Sequence, residues 1–170
     1  EYLLKTTEDK NMRKYLVNYF LEQFRGTLFR QTMFAEFEQR VHEMGASGES
    51  LNSEALCGIY GKLNEDYFGP DMVSDPEISY EWERIPHFYT PFYVYQYATG
   101  FSAAIAISRR IMEGEPGILE GYKRFLSGGC SMEPVELLKL CGVDMSQSRP
   151  IEQALEFFEE LLDEFEVCMK

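Results

Sequence analysis

Residues 82–100 read Trp82-Glu83-Arg84-Ile85-Pro86-His87-Phe88-Tyr89-Thr90-Pro91-Phe92-Tyr93-Val94-Tyr95-Gln96-Tyr97-Ala98-Thr99-Gly100, and from Ile85 to Ser108 nothing carries a formal charge except a protonated His87. Pro91 suits the first turn of a helix, and the spacing predicts that helix as far as Met112. Between Phe92 and Ile107 it is apolar on nearly every side, the mark of a helix buried among others. Gly100, Ala103 and Ala104 let another backbone come close, which makes this helix the hub of the packing. Its polar exceptions fall in two stripes at spacings of three and four: Tyr93, Gln96, Tyr97 and Gly100, and beside them Tyr95, Thr99 and Ser102.

So much tyrosine is a poor choice for filling a core, because each buried phenol needs a hydrogen-bond partner. A binding surface gains from rings that are apolar in body and polar at the tip, so the stretch reads as the wall of a site. A buried aromatic helix whose hydroxyls bond nearby backbone would give the same letters. A membrane span is excluded by content: Pro86, Pro91, His87, Gln96 and the tyrosines would face hydrocarbon, with no Lys/Arg cluster on one flank.

Working outward toward the N-terminus, apolar residues keep helical spacing from Asn11 to Met44, as one long helix or two nearly collinear ones. Gly26 is the weak point within it, and Gly45, Ser47 and Gly48 end it. Arg30 and Gln31 interrupt the stripe and are read as a solvated flank. Asn52 or Ser53 caps the next helix, which Gly69-Pro70 stops, and residues 71–78 have the composition of a loop. Toward the C-terminus, a short helix follows Gly114-Glu115-Pro116 and ends at Gly128-Gly129. Ser131 then caps a helix with Pro134 in its first turn and Gly142 past its end. The last helix begins near Pro150, with an acidic face from Glu159 to Glu166 read as solvated. No strand, repeat or low-complexity tract is found. The prediction is an all-α bundle of about six helices in a single domain, 1–170.

A formal charge of −13 over 170 residues repels phosphate backbones and anionic membranes, which argues against nucleic-acid and membrane partners. Cys57, Cys130, Cys141 and Cys168 lie far apart, with neither a CxxC pair nor a Cys-His cluster, and read as reduced core thiols of a cytoplasmic protein. The opening Glu1-Tyr2-Leu3-Leu4-Lys5 begins as though inside a helix, which suggests a piece of something longer.

His42-Glu43 starts like the zinc motif HExxH, but the fifth position is Ala46, and with only two histidines in the chain no catalytic zinc site assembles. Neither a GxSxG elbow, a cysteine-nucleophile signature nor a glycine-rich phosphate loop is present. What remains is His87 on a stiff turn after a proline, with phenols behind it. Such groups can donate hydrogen bonds to a carbonyl oxygen gathering negative charge, with the attacking group supplied from elsewhere.

Arg84-Ile85-Pro86-His87-Phe88-Tyr89 with Phe92 to Gly100 closely resembles the oligoendopeptidase F branch of the thimet-oligopeptidase-like zinc metallopeptidases, in its C-terminal region. Arg30-Gln31-Thr32-Met33-Phe34-Ala35-Glu36-Phe37-Glu38, Phe125 to Gly129 and Gly142-Val143-Asp144-Met145 match in order, so the resemblance spans essentially the whole chain. It implies a share in a larger zincin-like fold whose HExxH segment lies outside this chain. It also implies zinc in the parent enzyme, none bound here, and short peptides as substrates. His87 and Tyr95 are then the catalytic pair, with Tyr95 hydrogen-bonding the oxyanion and Tyr89 or Tyr93 as alternative donors. Tyr89, Tyr93 and Arg84 are the implied substrate-binding residues. The chain would be inactive alone, would partner the metal-binding half of the same enzyme, and would self-associate through its uncovered apolar wall. The rival readings are a free-standing helical interaction module and a non-catalytic relative.

Overall fold

A computed structural model describes residues 1–169. In chain order it contains α1 (Tyr2–Thr6), α2 (Lys10–Gln23), a π-helical turn (Phe24–Phe29), α3 (Arg30–Ala46) and α4 (Ser53–Phe68). Two 3-10 helices (Pro76–Arg84 and Pro86–Tyr89) lead to α5 (Tyr95–Met112), α6 (Ile118–Gly128), α7 (Pro134–Lys139) and α8 (Arg149–Met169). The fold is all-α, as expected, with eight α-helices among the described residues where about six were predicted. The additions are the five-residue α1 and the division of the 11–44 helix by the π-turn.

Local chemistry explains most boundaries. Asp9 and Asn52 accept from Met12 N and Ala55 N, so each caps a helix start in the usual way. Gly48, Gly69, Gly129 and Gly142 carry positive φ at or just past helix ends. Three boundaries differ from expectation. The helix expected from Pro91 starts at Tyr95, because Phe92 has φ 58° and a left-handed residue cannot continue a right-handed helix, and Gly100 and Ala104 on it are exposed rather than closed over by another backbone. Glu133, not Ser131, precedes α7, since Pro134 sets the first helical φ itself. Residues expected as loop up to 78 enter a 3-10 helix at Pro76.

The chain divides into two compact units, residues 26–98 and residues 1–25 with those from 99 onward. In the 26–98 unit, α4 packs against α3 and against the first 3-10 helix. Met33, Phe34, Phe37, Tyr60, Leu63, Ile85 and Val94 form its buried core. Tyr60 is fully buried because its hydroxyl donates to Glu81 Oε2 at 2.6 Å. Glu81 is itself buried and accepts from Arg30 Nη2 at 2.5 Å and from Arg84 Nη2. Arg30 therefore turns inward to a buried carboxylate and does not lie on a wet flank.

In the other unit α2 packs along α8. Phe24 is fully buried there, edge-on to Phe101 with ring centroids 4.9 Å apart and within 6.1 Å of Phe157. A second cluster gathers Ala103, Ala106, Ile107, Ile118, Cys141 and Val143. All four cysteines are free thiols, and only Cys141 is buried.

Candidate functional site

A cavity of about 890 Å³ lies in the unit that includes residues from 99 onward, lined by Ala103, Ile107, Phe125, Leu137 and their neighbours. Its lining holds no histidine or carboxylate, and its titratable side chains are Tyr122 and Cys130. A second cavity, about 460 Å³, lies in the 26–98 unit between Asn64, Ser74, Glu77, Tyr80, Glu81 and Arg84. Outside both cavities, an imidazole and two phenols of the aromatic stretch face one another.

How that stretch folds decides which side chains face out. In a 3-10 turn, residues three apart share a side. Ile85 is buried and Phe88 packs against Phe34 and Phe37 at 5.6 and 5.2 Å, so His87 between them is turned away from the core. After Phe92 the chain enters α5, and Val94 and Ala98 take the buried positions. Tyr93 and Tyr97, each one residue before them, share the outer side.

His87, Tyr93 and Tyr97 form a compact group. The Tyr93 ring lies parallel to the imidazole within 4°, centroids 5.3 Å apart. Tyr97 stands nearly perpendicular to both, 5.6 Å from each, and its hydroxyl oxygen is 3.2 Å from His87 Nε2. The hydroxyl can donate to a bare Nε2 or accept from a protonated one, so the contact ties ring to ring in either tautomer. The Tyr97 phenol titrates above its ordinary value, first through its hydrogen bond with Tyr93, then through partial desolvation and the charge of Tyr93.

The predicted residues fall in several places. His87 and Tyr93 come together. Tyr95 opens α5 with half of its surface exposed (51%), and a step of two residues turns a helical side chain by about 200°, so it lies on a different face from Tyr97. Tyr89 is the most open of them at 83% exposure. Arg84 is paired with Glu81 at the wall of the second cavity. Tyr97 was not singled out from sequence, although its place four residues after Tyr93 on the same stripe was the signal. Glu38 was also missed: it is buried on α3 and its Oε1 accepts from Phe92 N at 2.7 Å.

Among the described residues no three His, Cys, Asp or Glu side chains converge to hold a metal. His42 sits exposed on the last turns of α3, with Nδ1 2.8 Å from the Glu38 carbonyl oxygen. A zinc ion therefore does not fit the side chains of this chain by themselves. No helix among the described residues is long and apolar enough to cross a membrane.

Comparison with known proteins identifies the family. The family description "peptidase family M3" matches residues 1–157. The chain is 54% identical over 167 residues to oligopeptidase PepF of Bacillus subtilis, covering 98% of the chain and 25% of that protein. It is 46% identical over 166 residues to a plasmid-encoded oligoendopeptidase F of Lactococcus lactis subsp. cremoris, covering 98% of the chain and 28% of that relative. The crystal structure of oligoendopeptidase-F from Enterococcus faecium superposes with a TM-score of 0.96 at 50% identity, covering 99% of this chain and 32% of that one. The chain thus spans roughly a quarter to a third of the length of these relatives. On the match to its sequence and the superposition of its helices, the chain belongs to peptidase family M3.

Proposed function

We propose that this chain forms the substrate-orienting and oxyanion-binding side of a zinc metalloendopeptidase that hydrolyses short peptides. The observation that carries the reading is the His87–Tyr93–Tyr97 group: an imidazole stacked on one phenol and hydrogen-bonded by a second, at the surface of its unit. Hydrogen-bond donors fixed before the reaction act where charge develops, and the loss of one such donor costs about a hundredfold or more in rate.

In this reading His87 and one phenol of the same stretch, Tyr95 or in its place Tyr93 or Tyr89, donate to the carbonyl oxygen of the peptide bond as it becomes an oxyanion. Tyr93 and Tyr97 keep the imidazole in place, and Tyr89 and Arg84 hold the peptide on either side. A zinc supplied by side chains outside this chain would polarise the same carbonyl and the attacking water. The residues of this chain take no proton from that water, so the chain without those ligands is inactive. Its partner is then the metal-binding part of the same enzyme, in the cytoplasm.

The test is Tyr95→Phe in a peptidase of full family length that carries this sequence, assayed on a short peptide. The expected result is a fall in kcat on the order of a hundredfold with little change in KM. Unchanged turnover removes Tyr95 from the reaction, and unchanged turnover in His87→Ala removes the whole reading.

A further inference from the structure

We infer that Glu38 is a positioning residue for the His87–Tyr93–Tyr97 group, acting through the backbone of Phe92. This rests on the reading of that group as the substrate-facing site, and it assigns the device that holds the group in shape.

Phe92 is the only residue other than glycine with positive φ among those described, at 58°. A left-handed conformation is disfavoured for a residue that bears a side chain, so something must hold it there. Burial of the phenyl ring is not the cause, because Phe92 is 55% exposed. The hold comes from α3. Glu38, 4% exposed, accepts the Phe92 N–H at 2.7 Å across 54 residues of sequence. One helical turn later, the His42 ring lies 4.8 Å from the Phe92 ring. Backbone and ring of one residue are thus gripped by two side chains four apart on a single helix.

The grip bears directly on Tyr93. Phe92 is the residue immediately before it, and the φ of Phe92 sets the direction in which Tyr93 leaves. With the left-handed turn in place, Tyr93 lies flat on His87, and Tyr97 sits one helical turn on with its hydroxyl at Nε2. If Phe92 relaxed to the extended region, the Tyr93 ring would swing off the imidazole. A charge-assisted hydrogen bond to a buried carboxylate is stronger than one between neutral groups and offsets the backbone cost. Glu38 therefore acts as a clamp whose effect reaches the imidazole without touching it.

The experiment reads the ring protons of His87 by NMR in this chain, which has only two histidines, so that His87→Gln assigns the signals. The stacked Tyr93 ring should move the His87 protons upfield. Glu38→Ala should abolish that shift, and Glu38→Gln, whose amide oxygen still accepts from Phe92, should keep it. Adding Phe92→Gly to Glu38→Ala should restore it, because glycine takes positive φ unaided. A merely structural role for Glu38 would not be rescued in this way. Absence of the shift in the unsubstituted chain, its survival in Glu38→Ala, or failure of Phe92→Gly to restore it overturns the inference. Should Glu38→Ala not fold, Phe92→Pro at this exposed position removes both the donor and the left-handed φ, and persistence of the shift there overturns it equally. The readout needs no turnover. If His87→Ala leaves the full-length peptidase active, the functional reading fails while the clamp stands, and the converse result separates them the other way.

Discussion

Tyr60 donates its hydroxyl to Glu81 Oε2 at 2.6 Å, and this bond ties the centre of α4 to the 3-10 helix that leads to His87. Arg30 on α3 reaches the other oxygen of the same carboxylate at 2.5 Å. A buried charge-assisted hydrogen bond is worth about 1.5–3 kcal/mol, so Tyr60→Phe should destabilise the 26–98 unit by about 2 kcal/mol. Glu81→Ala should cost more, about 3 kcal/mol, because it strands the Tyr60 hydroxyl and the half-covered Arg30. The two changes share one interaction and should be far from additive when combined. Urea unfolding of the two single variants and the double variant measures this, and strict additivity would refute the coupling.

The same carboxylate sets an acid limit. Burial alone would raise the pKa of Glu81, but hydrogen bonds from Tyr60 and Arg30 and the charges of Arg30 and Arg84 outweigh it and leave it below the ordinary 4.5. A group whose folded pKa is depressed stabilises the fold in full above its unfolded pKa, about 4.3 for glutamate, and loses that contribution as pH falls through the folded value. Glu81→Gln should be less stable than the unsubstituted chain at pH 7, and the gap should narrow progressively below about pH 4.3. Midpoints of thermal unfolding across the acid range give the comparison, and a gap that stays constant rules out Glu81 as the titrating group.

Helical periodicity made the class and most element centres legible, because an apolar stripe every three or four residues is imposed by burial itself. Asn52 and Gly69 were readable for the same kind of reason: their chemistry completes a helix end. The π-turn at 24–29 was not, since one extra residue per turn shifts the phase without changing composition, and Gly26 alone marked the place. The left-handed Phe92 was invisible because glycine or asparagine normally signals such a backbone. Pro91 therefore passed for a helix start. Glu38 with Phe92, and Glu81 with Arg30, pair over 54 and 51 residues, and no local pattern announces a partner at that distance. At the site, His87 and Tyr93 stood out as an imidazole and a phenol on an uncharged stretch, while Tyr97 was recognisable only as the next member of the Tyr93 stripe.

Three phenols should ionise late. Tyr60 is raised far above its ordinary value and Tyr67 is pushed up to about 12, in both cases first by burial and then by a hydrogen bond to Glu81 or Glu36. Tyr97 is raised by its bond with Tyr93. Raising a phenol's pKa favours its neutral form in the fold, so this stabilisation is complete below the unfolded value, about 10, and is lost as pH climbs toward the folded ones. In a spectrophotometric titration of the 11 tyrosines, Tyr67→Phe should remove amplitude only from the part of the curve near pH 12. Amplitude lost near pH 10 instead would place Tyr67 in solvent.

In the unit that includes residues from 99 onward, α6 and α7 meet through glycines, and two of these should respond differently to a methyl group. A Cβ at Gly121 would stand 2.3 Å from the carbonyl oxygen of Leu140, a backbone atom fixed by the close of α7. One at Gly128 would stand 2.5 Å from Leu137 Cδ1, the end of a side chain that can rotate aside. Overpacking against a rigid group costs about 1–3 kcal/mol, whereas in a helix alanine is favoured over glycine by up to about 1 kcal/mol. Gly121→Ala should therefore lower the urea midpoint clearly, and Gly128→Ala should leave it nearly where it was. Equal midpoints for the two variants would mean that α7 can shift away from α6, and that the Leu140 carbonyl is not the fixed point it is taken to be.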